Sequence, residues 1–147
     1  MSRAFVKEDD STPEKPLARG ASDNPNYVTP EGLRQLKSAL AEAESGGNER
    51  DAVYLRSRIS DAIVVKRDGE KSSEVQIGAS VTIAQPDGVE RTYRIVGEDE
   101  ADPLAGNISW ISPLAQALLG AKRGDTVLWE RPAGILAVTI RAIKHDA

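Results

Sequence analysis

Apolar residues recur at spacings of three and four between residues 30 and 63 and change to alternation from residue 75 onward. The first part therefore predicts helices and the second predicts strands. Thr29-Pro30 opens the first helix, because a threonine hydroxyl accepts from a free amide and proline needs no partner at the first helical position. Leu33, Leu36, Leu40 and Ala43 then share one stripe. Ser45-Gly46-Gly47-Asn48 breaks the helix, and Asn48 with Asp51 three residues on resembles a new N-cap. Ala52, Leu55, Ile59, Ala62 and Ile63 form a second stripe. So short a turn makes the two helices antiparallel, stripe against stripe. With ~15 residues each, the hairpin is roughly 22 to 25 Å long.

The strand-rich part begins at VQIGASVTI and turns at Pro86-Asp87-Gly88. VERTYRIVG returns with Val89, Arg91, Tyr93 and Ile95 on one face and Glu90, Thr92, Arg94 and Val96 on the other. Ser112-Pro113 repeats the cap logic of Thr29-Pro30 and starts a short helix whose Leu114, Ala117 and Leu118 face the core, with Gly120 as its left-handed stop. Gly124-Asp125 leads into the strand DTVLWE, and ILAVTIRAI follows through Arg131-Pro132-Ala133-Gly134. The expected fold class is α+β: a short N-terminal antiparallel helical hairpin, then a small β domain carrying one short helix. Residues 1–27 read as a flexible tail, being rich in proline and acids, with Phe5 and Val6 either untethered or docked. Residues 28–66 are the hairpin, 67–74 a charged linker, and 75–147 the β domain.

Composition narrows the chemistry. The 147 residues suffice for one ordinary domain or two small ones. No stretch approaches the ~20 apolar residues of a membrane span, and MSRAFVKEDD lacks the apolar core of a signal peptide, so the expected location is cytoplasmic with no membrane partner. The chain has no cysteine, which removes disulfides, thiolate metal sites and cysteine nucleophiles. Its single histidine, His145, lies two residues from the end and is expected to be a solvated tail residue. A net charge of −4 argues against a broad phosphate-binding face, so nucleic acid is expected only indirectly, through a protein partner. No catalytic residue, metal site or cofactor is expected.

Two acidic groups stand out. Glu98, Asp99, Glu100 and Asp102 crowd one turn, as a solvated acidic turn or a cation site, without the positional pattern of a calcium loop. Glu42, Glu44, Glu49 and Asp51 surround the hairpin turn. Glu49 and Asp51 also suit a helix start, where negative charge is favoured. Trp110 and Trp129 fit either core filling or an exposed interface anchor.

From Val75 to Ile143 the ordered set IGASVTI, DG, TYRIVGEDEAD, G-IS, SPLAQALLG, GD and PAG resembles the C-terminal domain of the Gre transcription factors. That resemblance implies an FKBP-like β domain and, as partner, bacterial RNA polymerase, bound at the rim of its secondary channel. It also implies polymerase contacts at Ser112 and Pro113, although the Asp common in the family before this Ser is Ile111 here. In the family a longer hairpin presents two tip carboxylates that help the polymerase hold a catalytic magnesium and cleave backtracked RNA. The family tip resembles Gly-Asp-x-x-Glu-Asn-x-acid-Tyr, whereas this chain has Gly46 to Tyr54 with Gly47 and Arg50 in the first two acidic positions. The hairpin is also about half the family's length, a deficit of ~20 Å. A polymerase-binding regulator of elongation without cleavage-stimulating activity is therefore expected. The alternative is a cleavage factor whose acid pair has moved to Glu49 and Asp51. A prolyl isomerase ranks last, because its pocket needs more aromatic residues than Tyr93, Trp110 and Trp129.

Overall fold

A computed structural model describes residues 23–65 and 73–145. The readings that fall on residues 1–22 and 66–72, the tail with Phe5 and Val6 and most of the linker, lie outside the described residues. Both hairpin helices form where their caps predict. Helix α1, Pro30–Ser45, starts from Thr29, whose side chain accepts from the Gly32 amide at 2.9 Å. Helix α2, Glu49–Ser60, starts from Asn48, whose Oδ1 accepts from the Asp51 amide at 3.2 Å. Val28, Leu36, Ala43, Ala52 and Leu55 make the hairpin's own core, with Leu33, Leu40, Tyr54, Ile59 and Ala62 packed against it.

The second helix ends earlier than the stripe suggests. Asp61 caps it, and Ala62–Val64 leaves as a strand, β2, that pairs in parallel with β1, Asn26–Val28. Ile63 and Val64 are β-branched and fit an extended chain as well as a helix face, so the apolar spacing alone did not separate the two. Ile63 ends up 47% exposed rather than on a buried stripe. Asn26 and Tyr27, placed in the tail by composition, belong to this small sheet, and Asn26 is buried.

The second unit is a five-stranded sheet. Its strands are β3 (Ala79–Ala84), β4 (Glu90–Val96), β5 (Asn107–Ser109), β6 (Thr126–Arg131) and β7 (Gly134–His145), in the order β5-β4-β3-β7-β6. Only β4 and β5 run parallel. Strand β3 starts later than VQIGASVTI suggests, because Gly78 takes φ 100°. Val75 is core all the same, 2% exposed, and exchanges backbone hydrogen bonds with Gly120 and Ala121. His145 is the last residue of β7, paired with Ala79, rather than a solvated tail residue.

Inward residues keep their face along the long strand β7 by means of one irregularity. Val81 pairs with Ile143 and Ile83 with Ile140, so the register shifts by one residue between Thr82 and Ile83. Without that extra residue, strict alternation from Val138 and Ile140 would turn Ala142 and Lys144 inward. Helix α3, Pro113–Leu118, closes the core with Leu114, Ala115 and Leu118. Ala117, expected on that face, is only half-buried, since a single helical turn and a half presents positions one and four residues apart.

Candidate functional site

At the hairpin tip two of the carboxylates share one cation across the surface. Arg56 on α2 reaches Glu44 Oε2 at 3.1 Å with one guanidinium nitrogen and Glu49 Oε2 at 3.3 Å with another. These hydrogen bonds hold the Arg56 guanidinium above its ordinary value. Asp51 turns back on its own helix start, where its Oδ2 accepts from Asn48 Nδ2 at 2.8 Å and its Oδ1 is closed off from solvent. Gly47 supplies the left-handed residue of the turn, with φ 73°. The tip is therefore a self-paired cap with Glu49 and Asp51 bound to different partners. Helix α1 has 16 residues and α2 has 12, giving lengths of ~24 and ~18 Å.

Ser112 and Pro113 lie on the other unit. The Ser112 hydroxyl donates to the Ser109 carbonyl at 2.7 Å and accepts from the Ala115 amide at 3.4 Å. It is thus a cap that also ties the helix start to β5. Pro113 follows as an exposed residue, beside Ile111 at 39% exposure. Trp110 is half-buried with its ring edge-on to Tyr27 at 5.1 Å, and Trp129 meets Tyr93 edge-on at 6.2 Å with Arg131 above it. Both tryptophans serve packing.

The acidic turn is neither a solvated loop nor a cation cage. It is the joint between hairpin and sheet. Glu100 accepts from the Thr29 amide at 3.0 Å, from the Thr29 hydroxyl, and from the Gly97 amide at 3.1 Å. Asp99 accepts from Tyr54 Oη at 2.6 Å and from Arg58 Nε at 2.7 Å. Arg58, 4% exposed, also donates to Asn26 Oδ1 at 2.6 Å, while its carbonyl accepts from Asn26 Nδ2 at 2.7 Å. Burial works against the Arg58 charge, but the hydrogen bond and charge of Asp99 outweigh it and hold the guanidinium above its ordinary value. Among the described residues no three acidic or histidine side chains converge as a metal site.

Two glycines record how close this joint is. A Cβ on Gly32 would collide with the Glu100 carboxylate, and one on Gly97 with the Tyr27 carbonyl oxygen. A glycine inside the first turn of a helix is costly unless something approaches it, so Gly32 was the sequence signal for this contact. Beside the joint, a groove of about 570 Å³ opens between Gln35, Leu36 and Tyr54 of the hairpin and Glu98, Ser109 and Ile111 of the sheet domain. Ile111 places one wall next to Ser112 and Pro113.

Residues 70–145 match the family described as "Transcription elongation factor, GreA/GreB, C-term". The chain is 45% identical over 91 residues to transcription elongation factor GreA of Geobacillus kaustophilus, covering 61% of this chain and 58% of that one. It is 39% identical over 105 residues to GreA of Bacillus cytotoxicus, covering 71% and 66%. The chain thus spans about three fifths to two thirds of the length of the curated relatives it matches. Among solved structures, a GreA/GreB elongation factor from Nitrosomonas europaea is similar at 22% identity and TM-score 0.46, over 82% of this chain and 99% of that one. By the match to its C-terminal half, the chain belongs to the GreA/GreB family of transcription elongation factors.

Proposed function

We propose that the chain is an RNA polymerase-binding regulator of transcription elongation that does not stimulate RNA cleavage. It is not itself an enzyme, and its partner is bacterial RNA polymerase, bound at the secondary channel rim. Family membership supports the partner. The observation that carries the non-cleaving reading is the Glu44–Arg56–Glu49 ion-pair network at the tip. A carboxylate serves a magnesium ion only if its oxygens reach ~2.0 to 2.1 Å from it. Glu49 is shared with a cation of its own helix, and Asp51 is tied to Asn48 at its own helix start. The short helices add to this, since a side chain cannot bridge a deficit of ~20 Å.

On this reading the sheet domain docks through the exposed Pro113 and Ile111 beside the groove, with Ser112 shaping the loop that presents them. Cytoplasmic residence follows from the partner, and among the described residues no helix is long and apolar enough to cross a membrane. The test is a fluorescence anisotropy titration of the labelled chain with core RNA polymerase, then displacement by a full-length GreA. Saturable binding that GreA displaces supports the proposal. No binding at about 10 µM polymerase, where a weak transient complex would already form, overturns it.

A further inference from the structure

We propose that Asp99 and Glu100 are positioning residues that lock the helical hairpin in one orientation against the sheet domain. The locked pose makes the short hairpin a rigid wedge instead of a tethered arm.

The geometry points to a lock because neighbouring residues of one turn hold the two helices separately. Glu100 grips Thr29, the first cap of α1, through both its amide and its hydroxyl. Asp99 grips Arg58 in the last turn of α2 and Tyr54 one turn earlier. A hinge motion about either attachment would break the other. Glu31 and Arg94 add a third tie at 2.8 Å, from α1 to β4. Thr29 is fully buried and Arg58 nearly so, which places these contacts in low dielectric. There, polar contacts are directional and costly to leave unmade.

Such buried polar ties contribute orientation more than net stability, since an apolar replacement of similar volume is often neutral. The joint has apolar support as well, from Tyr27 against Trp110. Two units joined by a modest interface move relative to one another by default. The two carboxylates, with the Glu31–Arg94 pair beside them, are what this joint adds against that default. The consequence for polymerase rests on the function proposed above; the lock itself does not.

Because the chain has no cysteine, spin labels can be placed uniquely at exposed Ser45→Cys on the hairpin and Leu128→Cys on the sheet. Double electron–electron resonance on the free, full chain then reads the distance distribution. The lock predicts one narrow distribution in the parent. In an Arg58→Met, Asp99→Leu, Glu100→Gln variant with unchanged helical circular dichroism, it predicts broadening by about twofold or more. A parent already broad, or a variant equally narrow, overturns the proposal. Should the triple variant lose helicity, Glu100→Gln and Asp99→Asn are measured singly, and equal narrowness in both is the contrary result. These distances are read without polymerase, so failure of the binding titration would leave them standing. If both hold, the triple variant should bind polymerase through its sheet domain yet inhibit less at equal occupancy.

Discussion

Asp99 joins the two units of the chain, accepting from Tyr54 Oη at 2.6 Å through Oδ1 and from Arg58 Nε at 2.7 Å through Oδ2. Removing one partner of such a pair leaves the other charged and buried, whereas removing both does not. Asp99→Ala should therefore cost about 3 kcal/mol, and the Arg58→Met, Asp99→Leu double variant should stay within about 1 kcal/mol of the parent. Urea unfolding followed by helical circular dichroism measures both. Equal losses in the two would show that Arg58 is not a buried charge in need of compensation.

The hairpin core ranks its own residues. Leu36 is 5% exposed, while Ile59 is packed at the edge of the same cluster. Leu36→Asp should cost several kcal/mol and unfold the hairpin, and Ile59→Asp should cost distinctly less, because its carboxylate can reach water. Helicity of the two variants is the readout. A larger loss from Ile59→Asp would contradict the packing.

The sheet domain has a core that contains no hairpin residue. A fragment beginning at residue 73 should then unfold cooperatively on heating, with Asp99 and Glu100 simply solvated. A fragment beginning at Gly78 discards Val75 together with the partly buried Ile77 and should lose more than about 2 kcal/mol, the value of one buried valine. A disordered residue-73 fragment would mean that the hairpin is part of the domain's core.

Much of this arrangement was legible because its causes are local. Thr29, Asn48 and Ser112 cap the helices their neighbours announce, and Gly47 and Gly88 turn the chain where it must reverse. What escaped was decided at long range. Glu100 and Thr29 are 71 positions apart and Asp99 and Arg58 are 41, so four crowded acids read equally well as a solvated loop. The parallel pairing of three-residue strands at 26–28 and 62–64 left no periodicity to detect. At the tip, the acids were visible, but not that Arg56 is placed to hold two of them.

Ser112 and Pro113 can now be separated as probes. Ser112→Asp keeps the cap acceptor but sets a carboxylate where the hydroxyl donates to Ser109, so it disturbs folding and binding together. Pro113 is exposed and sits where no amide is needed. Pro113→Glu should change stability by no more than about 0.5 kcal/mol while weakening polymerase binding about tenfold. Thermal unfolding and the anisotropy titration measure the two. Undiminished binding would leave these residues with a structural role alone.

The most direct test of a non-cleaving regulator is a gel of end-labelled transcript in a stalled, backtracked polymerase complex with magnesium. The parent chain alone should produce no shortened RNA. Titrated against a full-length GreA, it should suppress that factor's cleavage, and a Glu49→Ala, Asp51→Ala variant should suppress it equally well. Shortened transcripts from the parent alone, abolished in the double variant, would contradict the account and make Glu49 and Asp51 the acid pair of a cleavage factor.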